Sequence, residues 1–174
     1  MNPPILNQIT LIGVGLIGGS FVLDLKRLGL VRHVTGIDVN ESNLERALER
    51  KVIDSAAVGI RAEHIAEVDL VLIATPVSTL GDICRTIAPF LRPDTVVSFV
   101  GGKNEAGVRS DATGNINIID AVAAHAPQAR LILVTSMGCG EQWENTNAMF
   151  KQALGEAVQA KTEAENHLRK SGLH

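Results

Sequence analysis

The sequence has no tyrosine, one tryptophan and two cysteines among its 174 residues. Without tyrosine, no proton transfer in this chain can use a phenol as acid or base. The cysteines, Cys84 and Cys139, lie far apart without paired spacing, so we expect reduced thiols and a cytoplasmic location. The five histidines are scattered as well, and no metal site is expected from them.

Charge and hydropathy argue against two further classes of protein. The formal net charge of -3 offers no basic surface for nucleic acid. No apolar run approaches the roughly 20 residues that span a bilayer, and the N-terminus lacks the pattern of a secretory signal. With 45% hydrophobic and 20% charged residues, the composition predicts a soluble protein, and the length predicts a single domain over residues 1–174.

A glycine-rich stretch after the first apolar run carries the strongest functional signal. Residues 9–12 lead into Gly13-Val14-Gly15-Leu16-Ile17-Gly18, which has GxGxxG spacing. In this pattern the first glycine allows a tight turn, the second lets phosphates approach, and the third lets helix and strand pack closely. The bare N–H groups at the start of the following helix then form an anion site suited to a pyrophosphate. Leu16 and Ile17, inside the motif, are also expected to bind the cofactor.

An acidic residue follows at the distance that such a site requires. The second apolar run ends in Asp38, twenty positions after Gly18. A carboxylate there accepts hydrogen bonds from an adenosine ribose and repels a 2′-phosphate, so we expect NAD(H) to be preferred over NADP(H). The alternatives are a solvated aspartate at a strand end and, for the motif as a whole, a glycine turn in an unrelated α/β protein.

Apolar runs alternate with amphipathic segments along the whole chain, which predicts a parallel, doubly wound α/β sheet. We expect six strands in the Rossmann order 3-2-1-4-5-6, with a ligand crevice at the carboxyl ends of strands one and four. The predicted strands cover residues 9–12, 31–38, 54–58, 69–76, 95–100 and 130–136. The predicted helices cover residues 20–28, 40–52, 62–67, 78–90, 115–125 and about 147–170.

Residues up to about 97 resemble the NAD-binding half of prephenate and arogenate dehydrogenases. The resemblance rests on the GLIGGS form of the glycine turn, on Gly36-Ile37-Asp38, on Val52-Ile53-Asp54, and on the run from Asp69 to Val77. It implies NAD(P) bound across Gly13, Gly15 and Gly18, with Ala74, Thr75 and Pro76 lining the adenosine side. The GSxK-type turn and the catalytic histidine that follow in that family have no match here, and neither does its helical substrate domain.

From about residue 96 the chain resembles atypical short-chain dehydrogenase-like NAD(P)-binding proteins. The matching stretches are residues 97–103, 114–117, 133–138 and 160–165. Val100 and Gly101, in the first of these stretches, are expected to line the cofactor site. The resemblance implies that Ser136 and Lys161 lie near the nicotinamide ribose. Ala157 stands four positions before Lys161, where typical members have tyrosine, so a Tyr-Lys proton relay is not expected.

Together the two resemblances predict a chimera, engineered or recombined, with its seam near residue 97; a natural divergent protein is the rival interpretation. The expected function is that of an NAD(H)-binding module without a complete catalytic site, as a monomer or weak homodimer. One alternative is an oxidoreductase related to prephenate or arogenate dehydrogenase, with Ser136 and Lys161 as weak catalytic candidates. Another is a folded scaffold without ligand affinity. The simpler interpretations are a backbone cap for Ser136 and a solvated cation for Lys161. Cys139, between two glycines, is a candidate for an exposed thiol with some reactivity.

Overall fold

In the computed structural model of the protein, which describes residues 3–99 and 111–173, six strands form one parallel sheet. The strands are β1 (Leu6–Ile12), β2 (Val31–Ile37), β3 (Ser55–Ala57), β4 (Leu70–Ile73), β5 (Val96–Phe99) and β6 (Arg130–Leu133). Their order is β3-β2-β1-β4-β5-β6, and every neighbouring pair is parallel. The predicted fold class and strand order are therefore confirmed.

Five α-helices connect and cover these strands within the described residues. They are α1 (Leu16–Arg27), α2 (Glu41–Glu49), α3 (Leu80–Ile87), α4 (Thr113–His125) and α5 (Ala148–Ser171). The predicted helix over 78–90 is divided, because 3₁₀ turns at Val77–Thr79 and Ala88–Phe90 flank α3. No helix of residues 3–99 or 111–173 combines the length and the hydropathy needed to cross a membrane.

Helix α1 begins four residues earlier than the sequence pattern predicts. Gly15 is its N-cap, so the helix starts directly at Leu16 rather than at Ser20. Leu16 and Ile17 are exposed, and this breaks the amphipathic pattern from which the helix start was predicted. The early start brings the first backbone N–H groups of α1 up to the carboxyl edge of the sheet.

Two apolar cores lie on the two faces of the sheet. One packs β1 and β2 against α1 and α2, and the other packs β4 and β5 against α3 and α4. All four residues of β4 are buried, as expected for a strand covered on both faces. The packing continues across residue 97: Val97 is fully buried and is paired in register with Val71 and Leu131.

Candidate functional site

The turn after β1 lies between the ends of β2 and β4, the two strands that pair with β1. The Gly13 N–H donates to the Ile37 carbonyl at the end of β2, at 2.8 Å. Gly13 has a φ of +90°, and a Cβ there would lie 2.6 Å from the Ala74 carbonyl oxygen. Since this neighbour is backbone and cannot move aside, only glycine fits the first position of the motif.

The other two motif glycines have opposite surroundings. A Cβ on Gly18 would lie 2.6 Å from Leu11 Cδ1 and 2.9 Å from Ala74 Cβ, so glycine lets α1 pack directly on β1 and on the end of β4. A Cβ on Gly15 would meet nothing within 4 Å. Packing in the protein therefore accounts for glycine at position 18, while position 15 faces open space at the mouth of the crevice.

The start of α1 is electrostatically suited to an anion. The first N–H groups of a helix have no acceptor within the helix, and its N-terminal end carries partial positive charge. Gly15 supplies no capping side chain, and the first turn contains no acidic residue that would neutralise this charge. The side chains of Leu16 and Ile17 are 85% and 59% exposed, so apolar surface borders the site.

Asp38 ties the glycine turn to the end of β2. One carboxylate oxygen accepts from the Val14 N–H at 2.8 Å, and the other accepts from the Asn40 N–H at 2.9 Å. Each oxygen has a further lone pair with which it can accept a ligand hydroxyl. Asp38 is half-buried and doubly bonded, which differs from the solvated aspartate considered above. The sequence did not point to its neighbour Val39, an apolar side chain that is 91% exposed at the same edge.

Residues 74–76 follow β4 and form the opposite side of the crevice. The Ala74 N–H donates to the Ile12 carbonyl at 2.7 Å, and the Ala74 side chain lies beside Gly18. The Thr75 methyl group borders Gly13, and the Thr79 hydroxyl donates to the Pro76 carbonyl at 2.7 Å. The glycine turn, Asp38 and this segment thus lie together at one edge of the sheet. Val100 and Gly101, also predicted to line the site, lie outside the described residues.

The two weak catalytic candidates lie beyond the end of β6. The Ser136 hydroxyl donates to the Met137 carbonyl at 3.2 Å, a backbone contact of the kind the simpler interpretation assumes. Lys161 is not a solvated cation: its side chain is only 20% exposed, and its Nζ lies 3.6 Å from the carboxylate of Asp111. Asp111 was missed from the sequence because it is one acidic residue in a polar stretch, fifty positions from its partner.

Two cavities flank the segment that follows Ser136. A polar cavity of about 390 Å³ is lined by Thr135, Ser136, Cys139, Gly140, Glu141, Gln142, Glu165 and Arg169. A more apolar cavity of about 330 Å³ is lined by Met137, Gly138, Gln142, Asn145, Thr146, Asn147 and Phe150. Neither includes the glycine turn, whose crevice is open. These cavities offer space for a small molecule beyond the carboxyl end of β6.

Cys139 is buried, contrary to the exposed thiol considered above. Gly138 and Gly140, with φ values of +90° and +58°, turn the chain on either side of it. The thiol then lies against α5, 3.7 Å from the Val158 carbonyl, to which it donates. Within the described parts of the chain, no three His, Cys, Asp or Glu side chains are grouped to hold a metal ion.

Comparison with known sequences points to dinucleotide-binding proteins. The sequence model of a family described as NAD(P)H-binding matches residues 38–174. Prephenate dehydrogenase of Bacillus subtilis (strain 168) is 39% identical over 71 residues, which are 41% of this chain and 19% of that enzyme. Cyclohexadienyl dehydrogenase of Zymomonas mobilis is 30% identical over 97 residues, 56% of this chain and 33% of that enzyme. The chain thus spans a third or less of these curated relatives.

Solved structures share the fold at low sequence identity. Prephenate dehydrogenase from A. aeolicus, in complex with hydroxyphenyl propionate and NAD+, superposes with a TM-score of 0.61 at 17% identity, over 92% of this chain and 61% of that one. ChuY, an anaerobillin reductase from Escherichia coli O157:H7, gives a TM-score of 0.57 at 24% identity, over 96% and 69%. Both matches cover more than nine-tenths of this chain.

Proposed function

Because this chain belongs to the NAD(P)H-binding family, we propose that it binds NAD(H) in the crevice at the carboxyl ends of β1 and β4. The observation that carries this proposal is the contrast within the glycine turn. Close contacts account for Gly13 and Gly18, whereas Gly15 borders only open space beside the helix start. A pyrophosphate fits that space and needs close approach to the backbone, which a Cβ would hinder.

The remaining contacts of the dinucleotide follow from this placement. The N–H groups of Leu16, Ile17 and Gly18 would donate to the pyrophosphate at the positive end of α1. Ala74, Thr75 and Pro76 would line the adenosine side, with the exposed Val39 offering apolar contact to the base. Val100 and Gly101 stay in the proposal as lining residues from the sequence.

Asp38 is the basis for proposing NAD(H) over NADP(H). Its carboxylate is held by two backbone N–H groups, so it cannot swing away from an incoming 2′-phosphate without losing both bonds. A free ribose hydroxyl can instead donate to one of its remaining lone pairs. The discriminating group is therefore fixed before the ligand arrives.

Isothermal titration with NADH and NADPH tests both parts of the proposal. We expect saturable NADH binding and at least tenfold weaker NADPH binding. Asp38→Ala should reduce the ratio of the NADPH Kd to the NADH Kd. NADH should still bind, more weakly, to the N–H groups at the start of α1. Equal affinities for the two cofactors in the unsubstituted protein would contradict the preference, and no saturable binding of either would favour the scaffold without ligand affinity.

Among residues 3–99 and 111–173, the proposed site has no complete set of catalytic groups. Bound NAD(H) supplies or accepts the hydride, and turnover also needs a positioned acid or base. The sequence has no tyrosine, Ser136 bonds to backbone, and the ammonium of Lys161 is paired with Asp111. These features support a binding module.

The polar cavity beside Ser136 favours a second candidate, an oxidoreductase related to prephenate or arogenate dehydrogenase. Its volume suits a small substrate next to the cofactor. NADH oxidation with prephenate, quinones or dyes separates the two functions. Rates above the buffer background that fall in Ser136→Ala or Lys161→Met would favour the enzyme, and background rates throughout would leave the binding module.

We also propose that the chain is a chimera, engineered or recombined, with its seam near residue 97. The two curated relatives match only 41% and 56% of the chain, as expected if they share one part of it. The family match runs from residue 38 and so includes both sides of the seam. Related sequences that pass gradually from one family pattern to the other between residues 90 and 105 would contradict recombination.

We also propose that the protein is cytoplasmic and is a monomer that dimerises weakly. Both cysteines are free and buried, which fits a reducing compartment such as the cytoplasm. Ile132 and Val134 are exposed at the sheet edge formed by β6, and this apolar surface fits a monomer that dimerises weakly. Sedimentation at several protein concentrations tests the assembly: a concentration-independent dimer would contradict it.

A further inference from the structure

The polar cavity beyond β6 lies between two segments that hydrogen bonds hold together. The loop after Ser136 forms one wall, and the C-terminal half of α5 forms the other. The Gly140 N–H donates to the Thr162 hydroxyl on α5 at 3.0 Å, and the Cys139 thiol donates to the Val158 carbonyl at 3.7 Å. The two walls are therefore fixed before a ligand arrives, as in most small-molecule sites.

Glu165 places a carboxylate in this cavity, one turn after Thr162 on α5. Its side chain is only 19% exposed, and a Cβ on Gly140 would lie 3.4 Å from its Oε2. Its ion partner is Arg169, whose Nη2 lies 3.8 Å away, which is beyond hydrogen-bond distance. In the parts of the chain that the structure describes, no group donates a hydrogen bond to this carboxylate. A carboxylate largely withdrawn from water is costly without donors, so it favours a ligand that brings them.

The remaining lining adds more acceptors than donors. Within the described residues, the carboxylates of Glu141 and Glu165 line the cavity against one guanidinium, that of Arg169. The Arg169 side chain is 69% exposed, so much of it extends into solvent. The Ser136 hydroxyl donates to the Met137 carbonyl, and its oxygen keeps lone pairs that can accept from a ligand. The lining therefore favours a ligand with positive charge and several hydrogen-bond donors.

We propose that this cavity binds a small organic cation through a primary ammonium group that donates to the Glu165 carboxylate. An ammonium has three N–H donors, and the Glu141 carboxylate and the Ser136 hydroxyl are further acceptors on the same lining. The cavity volume of about 390 Å³ has room for a short aliphatic amine. Neither the glycine turn nor Asp38 lines this cavity, so binding of the amine does not require NAD(H).

The test compares two probes of equal chain length that differ in charge, butylamine and butanol. Binding is followed by NMR titration of the isotope-labelled protein at pH 7, where butylamine is protonated. The same titrations are made with Glu165→Gln, which keeps the shape of the side chain and removes its charge. Glu163→Gln is the matched control, because Glu163 lies on the same helix but is exposed and does not line the cavity.

We expect saturable shifts of the Gly140 and Glu165 amides with butylamine, and a Kd at least tenfold lower than that of butanol. Glu165→Gln should raise the butylamine Kd about tenfold, the loss of one charge-assisted hydrogen bond, and Glu163→Gln should leave it within twofold. Arg169→Gln should lower the butylamine Kd about twofold, because it removes the exposed cation that competes for Glu165. The comparison of the two probes in the unsubstituted protein needs no variant, so it decides the matter should Glu165→Gln fail to fold.

Three results would overturn the proposal. Equal affinities for butylamine and butanol would mean that the cavity does not recognise the ammonium. Equal losses in Glu165→Gln and Glu163→Gln would assign butylamine binding to the overall charge of the protein rather than to this cavity. Absence of saturable shifts with butylamine in the unsubstituted protein would remove the site, and a parallel titration with NADH would show separately whether the proposed dinucleotide site stands.

Discussion

Replacing Gly15 with alanine should separate ligand binding from folding stability. Gly15 has a φ of -96°, which alanine adopts freely, and the added Cβ would meet nothing within 4 Å. Alanine is a poorer N-cap than glycine, at a cost of about 0.5–1 kcal/mol. The reduced freedom of the unfolded chain returns about 0.4–1 kcal/mol. The free energy of unfolding should therefore stay within about 1 kcal/mol of the original value.

The affinity for NADH, unlike the folding stability, should fall strongly in Gly15→Ala. The methyl group enters the space through which a pyrophosphate approaches the N–H groups of Leu16 and Ile17. Loss of one charge-assisted hydrogen bond is worth about 1.5–3 kcal/mol, which raises the Kd for NADH about 10- to 100-fold. A large effect on affinity with a small effect on stability is the expected signature.

Gly13→Ala provides the opposite case within the same turn. Its φ of +90° lies in the left-handed region, and the Cβ would lie 2.6 Å from the Ala74 carbonyl oxygen. The conformation alone costs about 1–2 kcal/mol, and displacing the end of β4 brings the total to about 3 kcal/mol or more. In a domain of this size, that lowers the Tm by about 6–12 °C.

Thermal denaturation and calorimetric titration with NADH measure both effects on the same samples. Affinity should be measured well below the lowered Tm, so that Gly13→Ala is compared in its folded state. A Gly15→Ala protein that binds NADH like the original would refute the placement of the pyrophosphate. A Gly13→Ala protein with an unchanged Tm would refute the packing argument for the turn.

Three further predictions concern charge and thiol chemistry. Asp38→Asn keeps the shape but removes the charge, so NADPH affinity should rise at least threefold relative to NADH in parallel titrations; an unchanged ratio would count against electrostatic discrimination. Burial pushes the pKa of Asp54 up, but hydrogen bonds from Lys26 and a β2 backbone N–H outweigh it and lower the pKa from 3.8. This stabilisation is present above pH 3.8 and is lost as the pH falls through the folded pKa. Urea titrations should therefore give a lower free energy of unfolding for Asp54→Asn than for the original protein at pH 7, and the difference should shrink in acid. Burial also raises the pKa of Cys84 to about 11, so neither Cys84 nor the buried Cys139 should react with a thiol reagent at pH 8 before unfolding, and rapid labelling of the native protein would contradict this burial.

The sheet could be predicted because its signals are local in sequence. The apolar run of β4 is buried at every position, and the glycine turn sits at the end of β1 as its spacing predicts. Alternation of strands and helices then leaves few possible orders of parallel strands. These features therefore depend on residues that are close together in sequence.

The parts that could not be predicted depend on contacts between distant residues. Asp38 was recognised as a strand-end carboxylate, but its bond to Val14 spans 24 positions and joins two separate turns. Lys161 looked like one of many charges on α5 until the fold brought Asp111 against it. Cys139 looked exposed between two glycines, yet their positive φ values turn its thiol onto α5.

The residues of the two ends of the proposed site lie on opposite sides of the proposed seam near residue 97. The adenosine end uses the glycine turn, Asp38 and residues 74–76, all before the seam. Ser136 and Lys161, expected near the nicotinamide from the family resemblance, lie after it, and so do Asp111 and Val134, which contact Lys161. Among the described residues, the contacts that cross the seam are mainly strand pairing and apolar packing, such as Val97 between Val71 and Leu131. Apolar cores tolerate exchange of residues of similar volume far better than hydrogen-bonded sites do. A join at this position therefore leaves the polar contacts of each end within a single part, which is why recombination there is compatible with an intact dinucleotide crevice.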